Sequence, residues 1–140
     1  MQQNFVHLRM HTEFSIVDGL VQIGPLLDVL PKKAMSAVAV TDVCNFFSVV
    51  KFFKSAMHAG IKPILGCDLL CHAPEKPETL SSLVLLCQNE LGYRNLTRLV
   101  SKAYQEGQYH GEPRVHHGWI FEHAEGLIAL SGGRTGIIGQ

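Results

Sequence analysis

Residues 37–66 read AVAVTDVCNFFSVVKFFKSAMHAGIKPILG, and this stretch decides the class of fold. Ala37–Thr41 is short, apolar and rich in branched side chains, the pattern of a strand buried on both faces. From Phe46 to Ala59, the residues Phe46, Val49, Val50, Phe53, Ala56 and Met57 recur at helical spacing. Lys51, Lys54, Ser55 and His58 fall on the other face, so the spacing predicts an amphipathic helix that Gly60 stops. Lys62–Leu65 opens the next apolar run, and Cys67–Cys71 extends it beyond Gly66 into one or two strands.

The same alternation continues on either side. Phe5–Leu8 reads as a first strand and residues 10–19 as a loop. Leu20–Ala34 reads as a helix in two pieces: Pro25 opens the second, and Pro31 ends it, because proline lacks the N–H and clashes one turn back. Downstream come a Pro- and charge-rich turn over 73–79 and a buried strand over Leu83–Cys87. An Asn89-capped helix follows, reaching about Ala103 with Leu91, Leu96, Leu99, Val100 and Ala103 as its apolar set. Arg94, Arg98 and Lys102 form its outer stripe. A Gly/His-rich loop over 105–118, a short helix over Trp119–Glu125 and a last buried strand over Leu127–Ser131 complete the chain. Strands alternating with helices predict an α/β protein with a mostly parallel sheet.

Composition sets outer limits. Of 140 residues, 46% are hydrophobic and 17% charged, enough apolar content for a packed core and too much for a disordered chain. Twelve basic and twelve acidic residues cancel, which argues against a grip on DNA or an anionic membrane by bulk charge. Cys44, Cys67, Cys71 and Cys87 are scattered in apolar runs and read as free thiols of a reducing compartment; Cys67, Cys71 and His72 lack the second ligand pair of a zinc site. The N-terminus shows no long apolar core of a secretory signal, and no run is long enough to span a membrane. A cytoplasmic location is therefore expected.

In parallel α/β folds the site lies at the C-terminal ends of the strands. Arg9 and His11 follow the first predicted strand, Asp18 closes the loop after it, Asp42 follows AVAVT, and Asp68 follows IKPILG. A histidine with several carboxylates suits a divalent metal that activates water. Caps and turns offer a second reading, since Asp18 precedes Gly19 and Asp42 precedes a helix.

Five segments in register, FVHLRMHTEFSIVDGL (5–20), AVAVTDVCNFFSVVKF (37–52), AGIKPILGCDL (59–69), NELGYRNLTRLVSKAY (89–104) and EGLIALSGG (125–133), resemble the N-terminal PHP (polymerase and histidinol phosphatase) domain of the alpha subunits of bacterial DNA polymerase III. The resemblance implies part of a distorted (β/α)7 barrel with metal ligands at the C-terminal strand ends. It also implies a parent that is a DNA-directed DNA polymerase active in replication. The parent's Mg2+-dependent catalytic residues would lie outside this chain, and residues 1–140 would be the N-terminal portion of an incomplete PHP barrel. The partners so implied are DNA, through the parent, and the other holoenzyme subunits, notably the proofreading exonuclease.

The chain departs from the family pattern at the site. The His-x-His after the first strand reads Arg9-Met10-His11, and the Thr-Asp-His after the second reads Thr41-Asp42-Val43. The acidic ligand after the third strand is the shorter Asp68, while Asp18 is retained. Arginine stays protonated and valine has no lone pair, so the resemblance implies a degenerate site at His11, Asp18 and Asp68. Arg9 and Val43 stand at lost ligand positions, Asp42 supports the site from behind, and the Zn2+ or Mn2+ is lost. Arg9 is expected to pair with Asp18 or Asp68 in place of the metal. The competing expectation is a stand-alone PHP-family metal-dependent phosphoesterase.

Overall fold

The computed structural model describes residues 5–73 and 75–137. Its elements follow in the order α1 (Ile23–Val29), β1 (Ala37–Val40), α2 (Val49–His58), β2 (Lys62–Ala73), β3 (Lys76–Cys87), α3 (Glu90–Gln105), β4 (Gln108–Tyr109), β5 (Glu112–Pro113), β6 (Val115–His116), α4 (His117–Glu122) and β7 (Leu127–Leu130). The α/β class holds. The main sheet runs β1-β2-β3-β7, with β6 also on β2. It is mixed: β1 and β6 pair with β2 in parallel, whereas β2–β3 and β3–β7 are antiparallel.

Strand β2 is the spine. Its first residues pair with β1, Ala37 opposite Lys62 through Val40 opposite Leu65, and Gly66–Cys71 pair with β3. Two larger apolar cores hang on this frame, beside a small cluster of Ala39, Val84 and Leu86. One gathers Cys67, Leu69, Leu83, Leu85, Leu96, Leu99 and Val115 beneath α3, the other Ile23, Leu27, Val38, Val40, Val49, Phe52 and Ala56 beneath α1 and α2. Cys44, Cys67 and Cys71 are buried free thiols and Cys87 is half-buried. Burial pushes Cys44 and Cys87 up to about 11 and Cys71 to about 12. Among the described residues no helix is long and apolar enough to cross a membrane.

Local signals place most boundaries. Asn89 caps α3 by accepting from Gly92 N at 3.0 Å, and Gly60, at φ 70°, ends α2 in a backbone region that disfavours other residues. Pro31 opens a separate 3-10 turn after α1, while Pro25 sits within the first turn of α1.

Several expectations are corrected. Phe5–Leu8 is not a regular strand: it touches β1 through a single bridge, His7 to Val38, and Ala39 N donates to His7 O. The turn read over 73–79 narrows, because β3 starts at Lys76 by pairing with Ala73; Pro74 lies outside the described residues. The loop over 105–118 contains the β4–β5 hairpin and β6, and α4 starts two residues before Trp119. Strand β7 lies at the sheet margin and is only half-buried. Leu91 is exposed rather than part of the α3 core. The face of α2 is turned: it buries Val49, Phe52 and Ala56, leaving Val50, Phe53 and Met57 in solvent.

Candidate functional site

Asp68 projects from the middle of β2 and is 3% exposed, so its carboxylate needs partners. They come from the segment after His7. Arg9 donates from Nε at 2.8 Å and Nη2 at 2.6 Å, both to Oδ2, and His11 Nε2 stands 3.0 Å from the same oxygen. Asp68 Oδ1 is buried without a hydrogen-bond partner. The other ring nitrogen of His11, Nδ1, stands 3.2 Å from Asp18 Oδ2. Of the two carboxylates open to Arg9, the structure pairs it with Asp68.

His11 is thus strung between two carboxylates. Its pKa is raised, chiefly by the hydrogen bond to Asp68, against desolvation and the Arg9 charge, which lower it. A histidine with a raised folded pKa contributes stability that is complete below the unfolded value of about 6.5 and is lost as pH rises through the folded value. The melting temperature of wild type should therefore exceed that of His11→Gln most at pH 5.5, with the gap closing by pH 8.5. A gap that is constant over this range would show that the proton on His11 is not coupled to folding.

Asp42 lies beneath the mouth. It is 1% exposed and its oxygens accept from Thr12 N at 2.6 Å, Thr12 Oγ1 at 2.8 and 2.9 Å, Ser15 Oγ at 2.7 Å and Ser48 Oγ at 2.5 Å. It ties the 3-10 turn Glu13–Ser15 to the residue before α2 and, among the described residues, makes no hydrogen bond to the side chains of His11 or Asp18. Behind it, Asp68 N donates to Asp42 O at 3.1 Å, which joins the segment after β1 to the middle of β2. Sequence reasoning did not single out Thr12, Ser15 and Ser48; their only signal is hydroxyls flanking a strand-end aspartate, a pattern too common in loops to stand out. Val43 bridges Asp68 through the backbone, and its amide donates to Ser15 Oγ at 3.1 Å. Asp18 is held close by Gly19, where an added Cβ would lie 1.9 Å from Thr12 O.

The mouth is an open depression of about 410 Å³ lined by Arg9, Met10, His11, Asp18, Gly19 and Leu20. Cationic and anionic groups alternate within it. His11 spends each ring nitrogen on a different carboxylate, and the accessible side of Asp68 is taken by a guanidinium. Among the described residues no three His, Cys, Asp or Glu side chains are arranged to hold a metal ion.

Comparison with known proteins agrees with this architecture. The chain is 53% identical over its whole length to a DNA polymerase III subunit alpha of Pseudomonas aeruginosa and 42% identical over 99% of its length to that of Escherichia coli K12. It spans 12% of the length of these curated relatives. An amidohydrolase from Chromobacterium violaceum, solved with bound sulfate and no metal, shares the fold with a TM-score of 0.55 at 16% identity. That match covers 74% of this chain and 34% of the amidohydrolase. The PHP domain model matches residues 7–140, and the chain belongs to the PHP domain family.

Proposed function

We propose that residues 1–140 are the N-terminal portion of the PHP module of a replicative DNA polymerase III alpha subunit, with its metal site degenerate. The module serves as scaffold and as docking surface for the proofreading exonuclease subunit. The observation that carries the degenerate site is the Arg9–Asp68–His11 arrangement. A divalent ion at Asp68 would have to displace a guanidinium donating twice to its Oδ2, beside a position where Val43 supplies no ligand. The residues present do not fit the family's metal centre. Whole-chain identity to polymerase alpha subunits supports the parentage. The parent would polymerise DNA with Mg2+ held by residues outside this chain, in the cytoplasm.

Metal analysis of protein purified without chelator should find zinc and manganese well below one per chain. Two or more ions per chain would refute the degenerate site. Arg9→His with Val43→His should raise metal affinity in the full module. Phosphatase turnover with added manganese that His11→Ala abolishes would restore the stand-alone phosphoesterase. For parentage and docking, the reading frame beyond Gln140 should encode polymerase domains, and removing residues 1–140 from that parent should abolish co-purification of its exonuclease subunit. Undiminished co-purification would refute the docking role.

A further inference from the structure

Three of the eight histidines meet at one corner of the sheet. His72, near the end of β2, and His116 of β6 are register partners, and their rings meet edge to face with centroids 5.8 Å apart. His117, the first residue of α4, follows at once; its Nε2 is buried and has no hydrogen-bond partner among the described residues. Protons on imidazoles set this close repel one another.

His116 also holds α4 in place. Its Nδ1 accepts from Gly118 N at 2.9 Å and so caps the helix. A Cβ at position 118 would lie 3.0 Å from that nitrogen, so the glycine lets the ring close on the helix start. Only the neutral imidazole, with its hydrogen on Nε2, has a lone pair for this bond. A proton taken from solvent occupies that lone pair and leaves the Gly118 N–H without its acceptor. It also sets a cation against the positive end of the helix. His72 offers no substitute, because its Nδ1 stands 3.0 Å from Ala73 O, a carbonyl that can only accept.

The charged and titratable neighbours come from every side. They are His72 from β2, Glu75 from the turn after it, Lys76 from β3 beside His117, and Lys102 from α3, whose Nζ lies 4.4 Å from the Trp119 ring. His123 closes the far end of α4 with Nδ1 2.9 Å from Trp119 O, and Arg114, just before β6, is paired with Glu112. At His117, burial first and then the His72 and His116 charges lower the pKa against the opposing pull of Glu75.

We propose that His116 is a proton-operated latch on α4: neutral, it caps the helix and holds it at the edge of β2; protonated, it lets go, and Trp119 and Ile120 leave the core beneath α3. The helix has six residues, too few to persist on its own hydrogen bonds once the cap is lost. His117 works in the same direction. With a lowered folded pKa, its contribution to stability is whole above the unfolded value of about 6.5 and is lost as pH falls through it. His11 runs the opposite way, so the corner has to be read locally and not from a global melt.

Trp119 is the one tryptophan of the chain and supplies that reading, since its ring lies 5.8 Å from that of His116. Between pH 7.5 and 5.5, Trp119 emission of the 140-residue chain should shift to the red. Protection of the Gly118 amide from hydrogen exchange, corrected for the intrinsic rate, should fall roughly tenfold, as expected for a lost cap. Far-UV circular dichroism should keep most of its signal. His116→Asn, which caps without titrating here, should retain the neutral-pH values and abolish both changes. His117→Gln and His123→Gln should leave the transition in place. A transition that survives in His116→Asn, one that disappears in either glutamine variant, or no change in wild type would each overturn the latch. Collapse of the whole circular-dichroism signal at the same pH would assign the transition to global unfolding, also against this proposal.

Discussion

Asp42→Ala should lower the melting temperature by about 10 °C, the largest effect expected of any polar substitution in this chain. The carboxylate is buried and accepts from one backbone amide and three hydroxyls. Thr12 and Ser48 are themselves fully buried, so deletion strands donors where water cannot reach them. Each stranded donor costs about 1–3 kcal/mol, and two or three together give roughly 3–5 kcal/mol. Asp42→Asn should fall between wild type and alanine, since the amide keeps one acceptor oxygen and the hydroxyls can turn to its NH2. Differential scanning calorimetry of the three proteins checks the order. A shift below about 2 °C for alanine would mean that water enters and replaces the lost acceptor. Because the Thr12–Ser15 turn lies between His11 and Asp18, the same substitution should broaden the His11 ring resonances.

Arg9→Ala should be the second-largest, about 5 °C, against less than 2 °C for Lys54→Ala on the surface. Removing one partner of a buried ion pair leaves an uncompensated charge and costs about 3–5 kcal/mol in fully buried cases. The Arg9 side chain is 44% exposed, so solvent screens part of the loss and roughly 1–2 kcal/mol is expected. Arg9→Lys should recover only part, because one ammonium cannot reproduce two donors aimed at one oxygen. Asp68→Asn in the Arg9→Ala background should cost less than the two single substitutions summed, since it removes the stranded charge while giving up the His11 contact. Equal shifts for Arg9→Ala and Lys54→Ala would show that the guanidinium is solvated and independent of Asp68.

These two sites also show how far the sequence could be read. Features set by neighbours in the chain were open to it: AVAV as a buried strand, Gly60 as a helix stop, Asn89 as a cap. The face of α2 was not, because the doublets Val49-Val50 and Phe52-Phe53 satisfy a 3.6-residue period on either of two adjoining faces. Packing of α1 and β2 chooses between them. The start of β3 was hidden in KPETL, a polar run that becomes strand only through its pairing with β2. At the site, arginine and valine at expected ligand positions announced the change in chemistry. Which carboxylate receives Arg9 is a contact across fifty-nine residues and is decided by how β2 places Asp68 against the N-terminal segment. Asp42 could be read from its strand-end position both as facing the mouth and as a support behind it, and the hydroxyls of Thr12, Ser15 and Ser48 hold it beneath.

The buried sulfurs of β2 and its neighbour make the molecule its own gauge of opening. Thiolate, not thiol, reacts with disulfide reagents, and Cys44, Cys67 and Cys71 are both shielded and held protonated. Cys87, half-buried near the end of β3, is reached by small departures of the sheet margin, whereas Cys67 and Cys71 sit among the side chains of the larger core. Labelling kinetics followed by intact mass would therefore resolve a ladder, one adduct from fraying and further adducts only as that core comes apart. The spacing of its rungs would measure how much of the sheet moves as one unit.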